Sequence, residues 1–321
     1  MTHRVGLVVF DGVTMLDVSG PAEVLHQASV FGHSYEVVLI SSDGGEVTTS
    51  TGMPLASTVT ASEAGHVDTV LVAGGECLTD APIDPGLLAT TRTVAARAAR
   101  IASVCTGAFV LAELGLLDGR RATTHWRHAG ILSRRYPRVS VDADAIHVRD
   151  GQFVTSAGIS SGIDLTLYLV EDDHGAGSAR RIARELVVFL RRPGGQAQFA
   201  TNTITSEPSD LLRPVIESVL TSPSEDHGLP AMARAAAVST RHLSRLFRTE
   251  LGTTPARWVE EVRIGRAQQL LLDGHSVTST ARRSGFGSDE TLRRAFLRHL
   301  GVTPTDYRRH FATTGTIPKP E

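Results

Sequence analysis

Ala281-Arg-Arg-Ser-Gly-Phe-Gly-Ser-Asp-Glu-Thr-Leu-Arg-Arg-Ala-Phe-Leu-Arg-His-Leu-Gly-Val-Thr-Pro-Thr-Asp-Tyr-Arg-Arg-His-Phe311 decides the fold of the last third of this chain, because it has a twin upstream. Phe247, Leu251-Gly252, Thr254-Pro255 and Trp258 recur as Phe296, Leu300-Gly301, Thr303-Pro304 and Tyr307, each 49 positions on. Leu243 and Arg245 map by the same offset onto Leu292 and Arg294. One offset shared by a helical stretch, a glycine stop and a proline restart marks an internal repeat.

Each copy has the same physical reading. Ser239 and Ser288 suit helix N-caps. Leu243, Leu246 and Phe247 make an apolar stripe at helical spacing, and Leu292 with Phe296 makes its counterpart. The opposite faces carry Arg241, Arg245 and Arg248, or Arg293, Arg294 and Arg298. Gly252 and Gly301 suit helix C-termini, and Pro255 and Pro304 the first turn of the next helix. A short helix, a tight turn and a second helix with a basic outer face is how a helix-turn-helix meets a major groove. Two ordinary helical hairpins with solvated arginines would also give basic faces, but leave the repeat unexplained.

The stretch Leu211–Phe311, and above all the run from Gly285-Phe286 to Tyr307-Arg308, resembles the AraC/XylS family of transcription regulators. The resemblance implies two helix-turn-helix units joined by one long helix, here Pro255–Leu272, reading successive major-groove segments of double-stranded operator DNA. By position in that motif, Arg241, Ser244 and Arg245 on the first recognition helix, and Glu290, Arg293 and Arg294 on the second, are the base-reading candidates. Arginine can bond bidentately to guanine, and glutamate can accept from cytosine.

With 321 residues, two domains are the natural division. No apolar run of membrane-spanning length occurs, and no signal peptide is read at the N-terminus, so no membrane association is expected. Two cysteines, Cys77 and Cys105, are too few for a disulfide framework and point to the cytoplasm. Neither a cofactor nor a metal is expected. His33, His66 and His128 have no metal-ligand spacing and read as surface residues. Residues 1–200 carry 16 Arg against 21 acids, and residues 201–321 carry 15 Arg and one Lys against 13 acids. The positive surplus thus sits on the repeat, as phosphate contact requires. It is modest, so a homodimer or larger assembly is expected to support affinity.

The first two thirds alternate strand and helix. Val5–Phe10, Tyr35–Ile40, Thr69–Ala73, Ile101–Val104, Arg121–Thr124, Val139–Val141, Ala145–Val148 and Phe153–Ser156 read as strands. The segment behind Pro21, Leu87–Arg100, Gly107–Leu117, Trp126–Tyr136, Ser160–Glu171 and Ala176–Leu190 read as helices. This order predicts a flavodoxin-like α/β/α sandwich around a mostly parallel sheet, followed by an all-α domain with the two helix-turn-helix units. The expected divisions are 1–192 for the sandwich, 193–210 for a linker, 211–312 for the DNA-binding domain and 313–321 for a tail. Ser222–Gly228 reads as a polar loop within the second domain.

Ser103-Val104-Cys105-Thr106-Gly107 joins an apolar strand to a helix, the setting of a nucleophile elbow. Thr106 and Gly75 can offer backbone N–H groups to an oxyanion. A buried structural cysteine fits the same turn. Asp11–Glu23, Ala73-Gly74-Gly75, Val104–Gly107 and Ala122–Trp126, taken together, resemble the ThiJ/PfpI group of the class I glutamine amidotransferase-like superfamily over residues 4–190. The resemblance places the reactive cysteine at Cys105 and its acidic partner at Asp17, here as vestigial or ligand-sensing positions. Thr106 stands where protease-like members have histidine, which speaks against a peptidase.

His125 reads either as a ligand contact near Cys105 or as a cap of the following helix. Cys77 reads as filling a turn. A helix N-terminus favours the Cys105 thiolate, and Asp17 beside it acts in either direction according to its protonation. Cys105 is therefore expected to be the more reactive cysteine. The combination of domains, with Gly194-Gly195-Gln196-Ala197-Gln198-Phe199 between them, implies a DNA-binding regulator. Its first domain would sense a small-molecule effector, mediate oligomerisation, or both, with Gly75, Thr106 and His125 lining the ligand site. RNA polymerase is a further candidate partner. The rival reading is a hydratase-like enzyme using Cys105 and Asp17, tethered to DNA.

Overall fold

A computed structural model describes residues 2–80, 82–190, 195, 196, 199, 209–251 and 253–311. It divides into two compact units, Met1–Gln196 and Ala197–Glu321. Gly252, the tail 313–321 and most of the segment 193–210 lie outside the described residues.

The first unit follows the chain as β1 (His3–Val8), α1 (Met15–Val30), β2 (Tyr35–Ile40), β3 (Gly45–Thr48), β4 (Pro54–Thr58), β5 (Thr69–Val72), α2 (Cys77–Asp80) and α3 (Pro85–Ala95). It continues as β6 (Arg100–Ser103), α4 (Gly107–Glu113), β7 (Arg121–Ala122), α5 (Trp126–Arg135), β8 (Ser140–Val141), β9 (His147–Asp150), β10 (Phe153–Ser156) and α6 (Ser161–Glu185). Six strands form one sheet in the order β2-β1-β5-β6-β10-β9. All its pairs are parallel except β9 with β10. Alternate side chains feed two cores. Val8, Val70, Val72, Ile101 and Phe153 pack with α3, α4 and α5, while Leu7, Leu71, Ala102 and Val154 pack with α1 and α6. A parallel sheet covered on both faces is apolar along its strands, which is why Val5–Val8 of β1 and Val70–Val72 of β5 are legible as apolar runs.

Several expected boundaries move. The helix expected over Leu87–Arg100 stops at Ala95, and Arg100 opens β6. The Asp68 carbonyl accepts the N–H groups of both Ala99 (3.0 Å) and Arg100 (3.1 Å), which draws the chain into the sheet. The β3–β4 hairpin is unforeseen; its strands are short, and it pairs apart from the main sheet. The helices expected at Ser160–Glu171 and Ala176–Leu190 are one run, α6, broken at Gly175, whose φ of 80° no helix accommodates.

The second unit is helical: α7 (Arg213–Thr221), α8 (Leu229–Ala235), α9 (Thr240–Glu250), α10 (Pro255–Leu272), α11 (Val277–Arg283), α12 (Asp289–Leu300) and α13 (Pro304–Phe311). It holds two cores. Leu243 and Phe247 of α9 bury against α7, α8 and the first half of α10. Leu292 and Phe296 of α12 bury against α11, α13 and the second half of α10. The repeat is geometric as well as sequential. Phe247 meets Trp258 edge-on at 5.8 Å, and Phe296 meets Tyr307 edge-on at 5.7 Å. Ser239 caps α9 by accepting the His242 N–H, and Ser288 caps α12 by accepting the Thr291 N–H, both at 3.2 Å. Among the described residues no helix is long and apolar enough to cross a membrane.

Candidate functional site

The loops at the carboxyl ends of β1, β5, β6 and β10 converge, the usual place for ligands in an open parallel sheet. Cys105 follows β6 in a left-handed conformation (φ 55°), and Ile159 after β10 is left-handed too (φ 32°). Such a conformation costs a non-glycine residue on the order of 1–2 kcal/mol. For Cys105 the surroundings hold it. Its N–H donates to the Ser156 and Ala157 carbonyls (3.2 and 3.0 Å), and its carbonyl accepts the Thr124 hydroxyl (2.7 Å). Helix α4 begins two residues later, at Gly107, where any side chain would overlap the Val72 carbonyl.

Asp17 lies in the first turn of α1 and is fully buried. Two hydrogen bonds clamp that turn to the end of β5: Thr14 N–H to the Gly74 carbonyl (2.8 Å) and Gly74 N–H to Asp17 Oδ2 (2.9 Å). Gly74 separates Asp17 from Cys105 with no space to spare. A Cβ there would lie 2.6 Å from Asp17 Oδ2 and 2.8 Å from Cys105 Cβ. The other carboxyl oxygen, Oδ1, is buried with no hydrogen-bond partner among the described residues. Burial pushes the Asp17 carboxyl up to about 7, against the pull of the Gly74 N–H.

Burial works against the thiolate that a helix N-terminus would favour at Cys105. Burial first, and the Asp17 carboxyl second, push Cys105 up to about 11, although the Ile159 and Thr106 N–H groups pull the other way. The helix terminus loses to desolvation, because α4 starts inside the fold rather than at its surface. Cys105 is a buried thiol, whereas Cys77 is exposed, at the start of α2. The Gly75 N–H, expected to be open to an oxyanion, donates to the Thr106 hydroxyl (2.8 Å), which in turn donates to the Gly75 carbonyl (2.8 Å).

His125 takes the capping role. Its Nδ1 accepts the Arg127 N–H (3.1 Å) at the start of α5, and its ring lies close enough to Gly158 to exclude any side chain there. Burial, followed by repulsion from His128 and Arg127, pushes it down to about 4, so it is neutral at ordinary pH. It borders the site through the Gly158–Ile159 wall. His128, read as a surface residue, is half-buried against His125, and His33, read likewise, is half-buried and stacks on His174.

Sequence reasoning missed Gln196. It is 2% exposed. Its Oε1 accepts the Trp126 N–H (2.8 Å), and its Nε2 lies within donating distance of the carbonyls of Thr124 (2.9 Å), Ala145 (3.1 Å) and Ala143 (3.2 Å). Thr124 is the residue that holds the Cys105 carbonyl, so Gln196 stands one residue behind the elbow. The only signal was the Gly-Gly-Gln run itself. Gly195 passes so close to Asp144 that no Cβ fits.

In the second unit, Arg241 and Arg245 are exposed along α9, and Ser244 is half-buried with its hydroxyl on the Thr240 carbonyl (2.8 Å). On α12, Glu290, Arg293 and Arg294 are exposed too, but joined. Glu290 accepts from Arg293 at 2.8 and 3.1 Å and from Arg294 at 3.0 Å.

Comparison with known proteins agrees with both units. The model of the DJ-1/PfpI family matches residues 3–172, and that of a helix-turn-helix domain matches residues 232–310. The HTH-type transcriptional regulator GlxA of Rhizobium meliloti is 30% identical over 313 residues, 96% of each chain. Isonitrile hydratase of Pseudomonas putida is 35% identical over 220 residues, 68% of this chain and 93% of the enzyme. The crystal structure of a ThiJ/PfpI family protein from Pseudomonas syringae shares the fold, with a TM-score of 0.54 at 23% identity over 74% of this chain and 89% of that one. The match to the hydratase covers about two thirds of this chain, whereas the match to the regulator covers nearly all of it. The chain therefore belongs to the AraC/XylS-type helix-turn-helix transcriptional regulators that carry a DJ-1/ThiJ/PfpI-like N-terminal domain: a sequence-specific DNA-binding regulator with an accessory sensing or oligomerisation domain.

Proposed function

We propose that the loops around Asp17 and Cys105 are the sensing site for a small-molecule effector, and that α9 and α12 are the two DNA readers, with Arg241, Ser244, Arg245, Glu290, Arg293 and Arg294 facing the bases. The buried Asp17 Oδ1, without a hydrogen-bond partner among the described residues, carries the first half. An unsatisfied buried acceptor costs about 1–3 kcal/mol, which a ligand donating a hydrogen bond to it would recover. A protonated thiol and a carboxyl held near neutrality suit hydrogen bonding to a ligand better than nucleophilic attack, which needs a thiolate. On the same proposal the chain pairs through its first unit, since two tethered readers raise each other's effective concentration. Sedimentation as a monomer with undiminished operator affinity would remove the pairing.

The test is a thermal-shift screen of small metabolites on wild type and Asp17→Asn. A ligand at a hundred times its Kd adds about 2.7 kcal/mol of stability. The hits should lose that gain in Asp17→Asn; equal stabilisation of both proteins would place the site elsewhere. The same variant has a pH signature. The folded carboxyl titrates at about 7, above its ordinary 3.8. Its contribution is therefore present below 3.8 and lost as pH rises through 7. Asp17→Asn should flatten the stability of the first unit across that window, by on the order of 4 kcal/mol at most.

Similarity to isonitrile hydratase favours a second reading, hydration at Cys105. Turnover of a stabilising compound, lost in Cys105→Ser, would establish it in place of sensing.

A further inference from the structure

Helix α10 changes partners in its middle. Val262 belongs to the core of the first reader and Ile264 to that of the second. Arg263 sits between them, half-buried. Its Nε donates to the Pro223 carbonyl and its Nη2 to the Glu225 carbonyl, both at 2.8 Å. Those carbonyls belong to the loop between α7 and α8 of the first reader. The loop is braced from within: Glu225 N–H donates to the Ser222 carbonyl (3.1 Å), which His227 Nε2 also approaches (2.8 Å).

The second reader meets the same spot through Gly285, in the turn between α11 and α12. Its φ is 85°, and a Cβ there would lie 2.7 Å from Arg263 Nε, 2.7 Å from the Pro223 carbonyl oxygen and 2.9 Å from Ser224 Cα. The loop of one reader, the arginine of the connecting helix and the turn of the other thus close on one another. A single helix of 18 residues, about 27 Å long, would leave its two ends free to twist and bend relative to each other. A contact off its axis removes much of that freedom.

We propose that Arg263, seated between the 222–228 loop and Gly285, is a spacing determinant: it fixes the placement of α12 relative to α9, and so the number of base pairs between the two DNA segments they read. One inserted base pair moves the second segment by about 3.4 Å and turns it by about 35°. A rigid pair of readers rejects that displacement, and a loosened pair tolerates it, because stiffness concentrates the second reader where the correct site lies.

The experiment uses the full-length chain and duplexes it selects from a random pool. The two contacted segments are located by footprinting, and one base pair is then inserted or deleted between them. Wild type should bind the altered duplexes at least about tenfold more weakly than the parent. In Arg263→Ala that ratio should shrink about threefold or more, and Gly285→Ala should shift it in the same direction. Arg263→Lys, which can reach one carbonyl at a time, should fall between. A ratio equal to wild type in folded Arg263→Ala or Gly285→Ala overturns the proposal, including the case in which affinity falls equally on all three duplexes, since that marks general stability only. Should Arg263→Ala fail to fold by thermal unfolding, the lysine and Gly285 variants decide on the same ratio.

Discussion

The two readers of the second unit share a fold but not a resting state. On α9, Arg241 and Arg245 are exposed and have no ion pair among the described residues. On α12, Glu290 engages both Arg293 and Arg294. The turns before these helices differ as well. Ala237 N–H to the Arg234 carbonyl and Val238 N–H to the Ala233 carbonyl in the first are matched by Gly285 to Arg282 and Phe286 to Ala281 in the second. That correspondence runs at 48 residues, whereas the recognition helices correspond at 49, so the second turn is one residue longer. The left-handed position is Ala237 (φ 53°) in one and Gly285 in the other. A repeated fold therefore preserves its cores and caps while its turns and outer charges diverge.

The strongest way to break the comparison is at the paired turn positions. Gly285→Ala should destabilise α11 and α12 by roughly 2–4 kcal/mol, from backbone strain plus overlap with Arg263 and Pro223. Ala237→Gly should change α8 and α9 by no more than about 1 kcal/mol, since it relieves a left-handed alanine while loosening the unfolded chain. Hydrogen exchange of the full-length chain resolves the two pairs of helices separately. Comparable effects at both positions would mean the turns are equivalent after all.

Next in size is base reading. Arg245→Ala should cost about 1–3 kcal/mol on a selected duplex and relax preference at one position. Arg293→Ala should cost less than about 1 kcal/mol, because the arginine already spends its charge on Glu290 at the surface. Equal losses, measured side by side, would show that DNA displaces Glu290 and that the resting difference is immaterial.

The smallest effect sharpens the charge difference. Glu290→Gln frees two arginines, and affinity for random duplex at low salt should rise about threefold to tenfold, with a steeper salt dependence. An unchanged salt slope would place Arg293 and Arg294 away from the phosphates.

The sequence made some of this legible and hid the rest for physical reasons. Phe247, Phe296 and the serine caps were readable because a short helix signals itself through local spacing. β1 and β5 were readable because burial on both faces leaves Val5–Val8 and Val70–Val72 apolar. The β3–β4 hairpin was not, since most of its described residues face water and its strands are short. Asp17 and Cys105 came together only through resemblance: they are distant in sequence, and nothing local says that Gly74 will seat one beside the other. The direction of the Cys105 shift was left open, because a helix terminus is visible in sequence and the depth of burial around it is not.

Cutting the chain after residue 192, where the last expected helix gives way to the linker, would remove a plug rather than a tail. The Gln196 amide fills a polar hole walled by backbone groups of Thr124, Trp126, Ala143 and Ala145. Without it the Trp126 N–H loses its acceptor, at about 1–3 kcal/mol if left dry, while the Thr123 hydroxyl still reaches the Thr124 and Ala145 carbonyls. A fragment that ends after Gln196 keeps the hole closed. The smallest self-sufficient piece of the first unit is set by its last satisfied amide, four residues into what composition alone reads as connecting chain.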